Sequence, residues 1–146
     1  MSLLRATLRW ALFTSALNLV WEILQLPLYM VYIEGDLWRI AYAVAHCTAG
    51  DVLIAGATYL IAAGATRSPR WIVARPLAGG AVAIIAGMSY AAFSEWLNVS
   101  VRGSWAYAPA MPQLFEIGLS PLLQWLAVPV ATLYMLRARG RGRRGG

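Results

Sequence analysis

Residues 8–30 read LRWALFTSALNLVWEILQLPLYM, twenty-three positions whose only charges are Arg9 and Glu22. A hydrocarbon core about 30 Å thick takes about 20 helical residues to cross, so this stretch predicts a membrane-spanning helix. Three more stretches follow outward from it: Trp38–Ala63, Ile72–Leu97 and Leu119–Leu136. The breaks between them hold the charges and turn formers, namely Glu34-Gly35-Asp36, Arg67-Ser68-Pro69-Arg70 and a long segment from Asn98 to Gly118. None of the four alternates with period two, which argues against strands. The expected fold is all-α: an integral membrane four-helix bundle.

Composition agrees. The chain of 146 residues is 60% hydrophobic and only 12% charged, with a mean hydropathy of +0.61; a soluble domain carries about 25% charged residues. That excludes a disordered chain and argues against a soluble globular enzyme. One cysteine excludes an internal disulfide framework and a thiolate-rich zinc site. The formal charge of +6 comes largely from Arg137, Arg139, Arg141, Arg143 and Arg144. Residues 137–146 are therefore expected to form a disordered basic tail behind a single transmembrane domain over 1–136. The basic residues explain topology and contact with membrane lipids better than nucleic-acid binding, for which no aromatic or fold motif is present.

Arg5, Arg9, Arg67, Arg70, Arg75 and the five arginines of the tail flank one side of the spans, and only Arg39 and Arg102 flank the other. Because cytoplasmic flanks keep the positive excess, both termini are expected in the cytoplasm, in a multi-pass protein of a bacterial inner membrane. The first stretch is too long for a signal peptide and lacks a small-residue cleavage site, so it is read as a retained helix.

Ionisable side chains within a bilayer cost several kcal/mol, so those that remain mark candidate sites. Asn18, Glu22, Gln25 and Tyr29 are spaced 4, 3 and 4, one helical face. The second stretch carries His46, Cys47, Thr48 and Asp51. His46 and Asp51 point about 140° apart at ~100° per residue, while Cys47 and Asp51 share a face. Glu95, Asn98 and Arg102 again lie on one face. At 1.5 Å of rise per residue, Glu22, His46, Glu95 and Gln124 all fall toward the outer boundary, and Asp51 lies about 8 Å deeper than His46. Four helices thus bring polar groups to one level. Glu22, His46 and Glu95 are the candidate catalytic residues; Asn18, Gln25, Asn98, Trp105, Tyr107 and Gln124 are candidates for substrate binding, with Asp51 a secondary candidate. No metal site is expected, because the Glu-x-x-His pairs of di-iron bundles are missing, and the pattern names no cofactor.

The segment from Asn98 to Leu119 is long for so small a protein, and long loops tend to be functional. Part of Met111–Leu119 is expected to fold back over the polar cluster.

The strings Val20-Trp21-Glu22-Ile23-Leu24-Gln25-Leu26-Pro27, His46-Cys47-Thr48-Ala49-Gly50-Asp51, Ser94-Glu95-Trp96-Leu97-Asn98 and Gly118-Leu119-Ser120-Pro121-Leu122-Leu123-Gln124-Trp125 resemble those of a group of small bacterial four-helix membrane proteins. That resemblance implies the fold and carries no mechanism. Small multidrug-resistance exporters also place one Glu in the first of four helices, but are shorter and less biased in charge. Sterol-isomerase-like membrane enzymes are similar in residue types to Glu22, Glu95, Asn98 and Trp105, without a contiguous motif.

A carboxyl in apolar surroundings suits general acid–base catalysis, and the leading expectation is an acid–base enzyme acting on a lipid or isoprenoid-like substrate. The alternatives are an accessory or assembly subunit of a larger membrane complex, with His46 a ligand to haem or pigment, and a proton-coupled transporter working as a homodimer. Signatures of nucleotide-driven and hydrolytic soluble enzymes are absent from the sequence.

Overall fold

The computed structural model describes the backbone of residues 2–142 and side chains as far as Ala138. Its elements in chain order are α1 (Leu3–Gln25), a 3₁₀ turn (Leu26–Leu28), α2 (Met30–Glu34), α3 (Leu37–Ala65), α4 (Trp71–Ala74), α5 (Pro76–Glu95), a π-helical turn (Trp96–Val101), β1 (Gln113–Leu114), β2 (Ile117–Gly118) and α6 (Leu119–Gly142). Four helices are long and apolar enough to cross a membrane: Leu3–Leu28, Leu37–Ala65, Pro76–Val101 and Leu119–Ala138. The all-α expectation holds.

The helix ends have local causes. Ser2 caps α1 by accepting from the Arg5 N–H, and Asp36 caps α3 by accepting from the Arg39 N–H at 2.8 Å. Pro27 has no N–H to donate to Ile23, so the helix expected to run to Met30 ends at Gln25, tightens into the 3₁₀ turn and becomes extended at Tyr29. The third stretch is divided likewise. Pro76 disfavours the helical conformation at Arg75, and Arg75 (φ −143°, ψ 56°) separates α4 from α5. The fourth helix runs past the expected end at Leu136. Residues 137–142 are helical rather than disordered, since Arg and Ala are strong helix formers; residues 143–146 of the expected tail lie outside the described residues.

The four long helices close a ring in which α1 and α5 each pack on α3 and α6. Their alternating direction gathers Arg5, Arg9, Arg67, Arg70, Arg75 and Arg137 at one end, here the basic end. The core there is aromatic: Trp10 meets Trp71 edge-on with ring centroids 5.1 Å apart, and Tyr59 lies 5.3 Å from Trp71 and 6.3 Å from Trp10. The Trp71 indole donates to the Tyr59 carbonyl, and the Tyr59 hydroxyl donates to the Pro69 carbonyl. Glycines let α5 seat two indoles. A Cβ at Gly79 or at Gly87 would fall 2.3 Å from the ring of Trp71 or Trp125 respectively.

Polarity is inverted relative to a soluble bundle. Leu12, Leu24, Leu53, Leu77 and Ile85 are exposed, while Thr14, Asn18, Gln25, Asp51, Glu95, Gln124 and Thr132 are buried. Helix faces that are apolar outward and polar inward fit an apolar solvent around the bundle.

Candidate functional site

Near the end opposite the basic end, α1, α3, α5 and α6 surround a cavity of about 330 Å³. Its walls include Glu22 and Gln25 of α1, Cys47 and Asp51 of α3, Glu95 of α5, Asn98 of the π-helical turn and Gln124 of α6, with His46, Arg102 and Trp105 also on the lining.

Gln124, only 2% exposed, organises the cluster. Its Nε2 donates to Glu22 Oε1 at 3.2 Å and to Asp51 Oδ2 at 3.1 Å, and its Oε1 accepts from Gln25 Nε2 at 3.4 Å. Both amide hydrogens are spent on carboxyls, which fixes the amide's orientation. Together the two bonds hold Glu22 Oε1 and Asp51 Oδ2 no more than 6.3 Å apart. Gln25 is locked in turn, because its Oε1 accepts from Ser120 Oγ at 2.7 Å, and that oxygen accepts from Trp21 Nε1 at 3.2 Å. The spacing of Ser120 and Gln124, four residues apart on α6, presents both to α1 on one face.

The loop after α5 closes the site from above. Its chain pairs with the end of the first span: Met30 N–H donates to Ala106 O and Ala108 N–H to Leu28 O, both at 2.9 Å. This brings the Tyr107 hydroxyl 2.6 Å from Glu95 Oε2, to which it donates, and the same oxygen accepts from the Tyr29 hydroxyl at 3.3 Å. The Gly118 N–H donates to the Tyr107 oxygen at 2.8 Å. Burial, with the Glu95 charge beside it, pushes the Tyr29 phenol above the ordinary tyrosine range; burial and the bond to Glu95 do the same at Tyr107. Both therefore stay protonated donors at neutral pH.

The loop reading from sequence needs correcting. The residues over the cluster are Trp105 and Tyr107, upstream of Met111–Leu119. Residues 113–118 instead form a β-hairpin whose turn residues, Phe115 and Glu116, take positive φ (51° and 64°), as a tight hairpin turn demands. Phe115 points outward, 89% exposed.

Glu22, Gln25, Glu95, Asn98, Trp105 and Gln124 line the cavity. Asn98 is held by its own helix, its Nδ2 donating to Ser94 O and Oγ. Trp105 Nε1 is buried on the Glu95 side of the cavity and interacts with that carboxyl. Glu95 is bonded to the two tyrosines. His46 is exposed at the cavity's edge, stacked on Tyr42 at 5.7 Å and 17°, and is not bonded to Glu22 or Glu95. Asn18 is fully buried but is not on the cavity lining.

Asp51, the secondary candidate, belongs to the central cluster. α1 and α3 run antiparallel, with Trp10 against Tyr59 at the basic end. Twelve residues up α1 reach Glu22 and eight up α3 reach Asp51, which leaves a height difference of about 6 Å for one glutamine to span. The sequence reading also passed over Cys47 and Ser120 as site residues, although the i,i+4 spacings Cys47–Asp51 and Ser120–Gln124 carried the signal.

Among the described residues no three His, Cys, Asp or Glu side chains are grouped so as to hold a metal ion. The arrangement offers proton chemistry instead. Asp51 is bonded to Gln124 through Oδ2, Glu22 to Gln124 through Oε1, and Glu95 to both tyrosines through Oε2, so the three carboxyls face the cavity from three helices. Comparison of the chain with protein-family models, curated proteins and solved structures gave no match.

Proposed function

We propose that this chain is a multi-pass protein of a bacterial inner membrane, both termini in the cytoplasm, and that it is an acid–base enzyme acting on a lipid or isoprenoid-like substrate. Four apolar helices and the ten-to-two arginine asymmetry support the membrane placement. The observation that carries the catalytic reading is the carboxyl pair Glu22 and Asp51 on a single glutamine amide, in the wall of an inter-helix cavity. Two neighbouring carboxyls can share one proton, one in the acid form and the other in the base form.

In this reading Glu22 takes a proton from a substrate carbon while its partner returns one elsewhere on the same molecule, so no net proton is consumed. Gln124 keeps the pair in register, and Glu95 with its two tyrosines positions the substrate's polar end. Apolar walls from Val44, Ile54 and Trp125 suit a hydrocarbon chain. The test is to incubate purified protein in D₂O with a total lipid extract of its host and follow deuterium entering carbon positions by mass spectrometry. Wild type is expected to label one lipid or isoprenoid species, and Glu22→Gln to fold but leave it unlabelled. Equal labelling by the variant would overturn the assignment of Glu22.

A second reading has one observation of its own: the exposed, Tyr42-stacked imidazole of His46 is accessible to a haem- or pigment-type ligand in an assembly subunit. A coloured protein whose visible band disappears in His46→Ala would favour it, and colourless protein isolated without partner chains would dismiss it.

A further inference from the structure

Below the cavity the buried face of α1 remains polar. Trp10, Thr14, Asn18 and Glu22 follow one another at intervals of four residues, and the first three are fully buried. Yet Asn18 Oδ1, Asn18 Nδ2 and Trp10 Nε1 have no hydrogen-bond partner among the described residues. A buried amide with neither end bonded costs several kcal/mol, and the usual remedy is an internal water that makes about three bonds to such groups.

The surroundings can supply those bonds. Thr14 Oγ1 donates to Thr132 Oγ1 at 3.3 Å, which ties α1 to α6. Between Gln124 and Thr132 on α6 stands Pro129, buried inside the helix, which has no N–H to give the Trp125 carbonyl. By the register that Trp10 and Tyr59 set, Asn18 is level with Asp51. Four residues of helix rise about 6 Å, close to the span of two hydrogen bonds through one water. The hydroxyls, the amide and the carboxyls thus recur up the bundle at an axial spacing that one water can bridge.

We propose that the Thr14–Asn18 face of α1 holds internal water and conducts protons between the Glu22–Asp51 pair and the basic end of the bundle. Threonine hydroxyls and water both donate and accept, so they can pass a proton on. Asn18 orients the water, and Trp10 Nε1 anchors the oxygen of the lowest one. The relay rests on buried geometry and does not depend on which substrate the cavity takes.

The test is proton flux in liposomes that enclose a pH-sensitive dye, driven by a potassium gradient with valinomycin. Protein-bearing liposomes are expected to equilibrate faster than protein-free ones. Asn18→Leu, close to isosteric, and Thr14→Val should each return the rate to that of protein-free liposomes. Ser15→Ala should leave it unchanged, because the Ser15 hydroxyl donates to the Ala11 carbonyl of its own helix. If Asn18→Leu does not fold, Thr14→Val decides alone. Wild-type flux equal to that of protein-free liposomes, or variants as fast as wild type, would overturn the relay.

Discussion

Replacing Gln124 by Leu tests whether one amide holds the cluster together. The substitution leaves an apolar side chain of comparable size while removing three bonds at once: to Glu22 at 3.2 Å, to Asp51 at 3.1 Å and from Gln25 at 3.4 Å. Side-chain hydrogen bonds inside membrane proteins average about 0.6 kcal/mol and reach about 1.7. Three of them give a loss of about 2 kcal/mol, and about 5 as the upper bound. The carboxyls face a cavity and can recover water, which favours the lower figure. A loss of about 2 kcal/mol multiplies the unfolded-to-folded ratio by roughly thirty. Reversible unfolding in mixed detergent and sodium dodecyl sulfate micelles, followed by helical circular dichroism, reads that change directly. A variant as stable as wild type, or more stable, would refute the view that Gln124 binds these groups, since removal of an unbonded buried amide should stabilise.

Gly87→Ala should destabilise by about 1–3 kcal/mol, as overpacking does, because its Cβ would meet the Trp125 ring at 2.3 Å; unchanged micelle unfolding would refute that contact. Tyr107→Phe removes a donor to Glu95 and the acceptor of the Gly118 N–H, so protease cleavage within residues 103–118 should quicken while α1–α3 stay protected; unchanged cleavage would mean the loop is held by other contacts. Alkaline pH supplies a further check. Tyr29 and Tyr107 are raised in the folded state, so their contribution is intact below about pH 10, the unfolded value. It is lost as pH rises above that, because the unfolded chain then releases protons that the native one keeps. Stability measured from pH 8 to 11 should fall, less steeply in Tyr107→Phe, and a flat profile in wild type would contradict the buried phenols.

Much of this architecture is legible in one dimension. Hydropathy places four helices because each must present apolar side chains outward, and the exposure of Leu24, Leu53 and Leu77 is the counterpart of that signal. The face carrying Asn18, Glu22 and Gln25 follows from spacing alone. What spacing cannot supply is register between helices. Asp51 lies about 8 Å deeper than His46 on its own helix, and it meets the Glu22 cluster because the Trp10–Tyr59 contact sets the relative height of α1 and α3. The two prolines, Pro27 and Pro76, signalled the breaks at Gln25 and Arg75 that hydropathy smoothed over. The loop was harder to read. Tyr107 reaches Glu95 only through its strand-like pairing with Tyr29, a contact 78 residues distant in sequence that no local pattern encodes.

Native mass spectrometry of the protein extracted gently from its host membrane tests whether the cavity walled by Glu22, Asp51 and Gln124 binds a lipid or isoprenoid-like molecule, as proposed. Wild type is expected to carry one such molecule per chain. Ser94→Trp, which places an indole in the cavity wall, is expected to lose it. Protein that carries no such mass, or an adduct that persists in Ser94→Trp, would contradict the account.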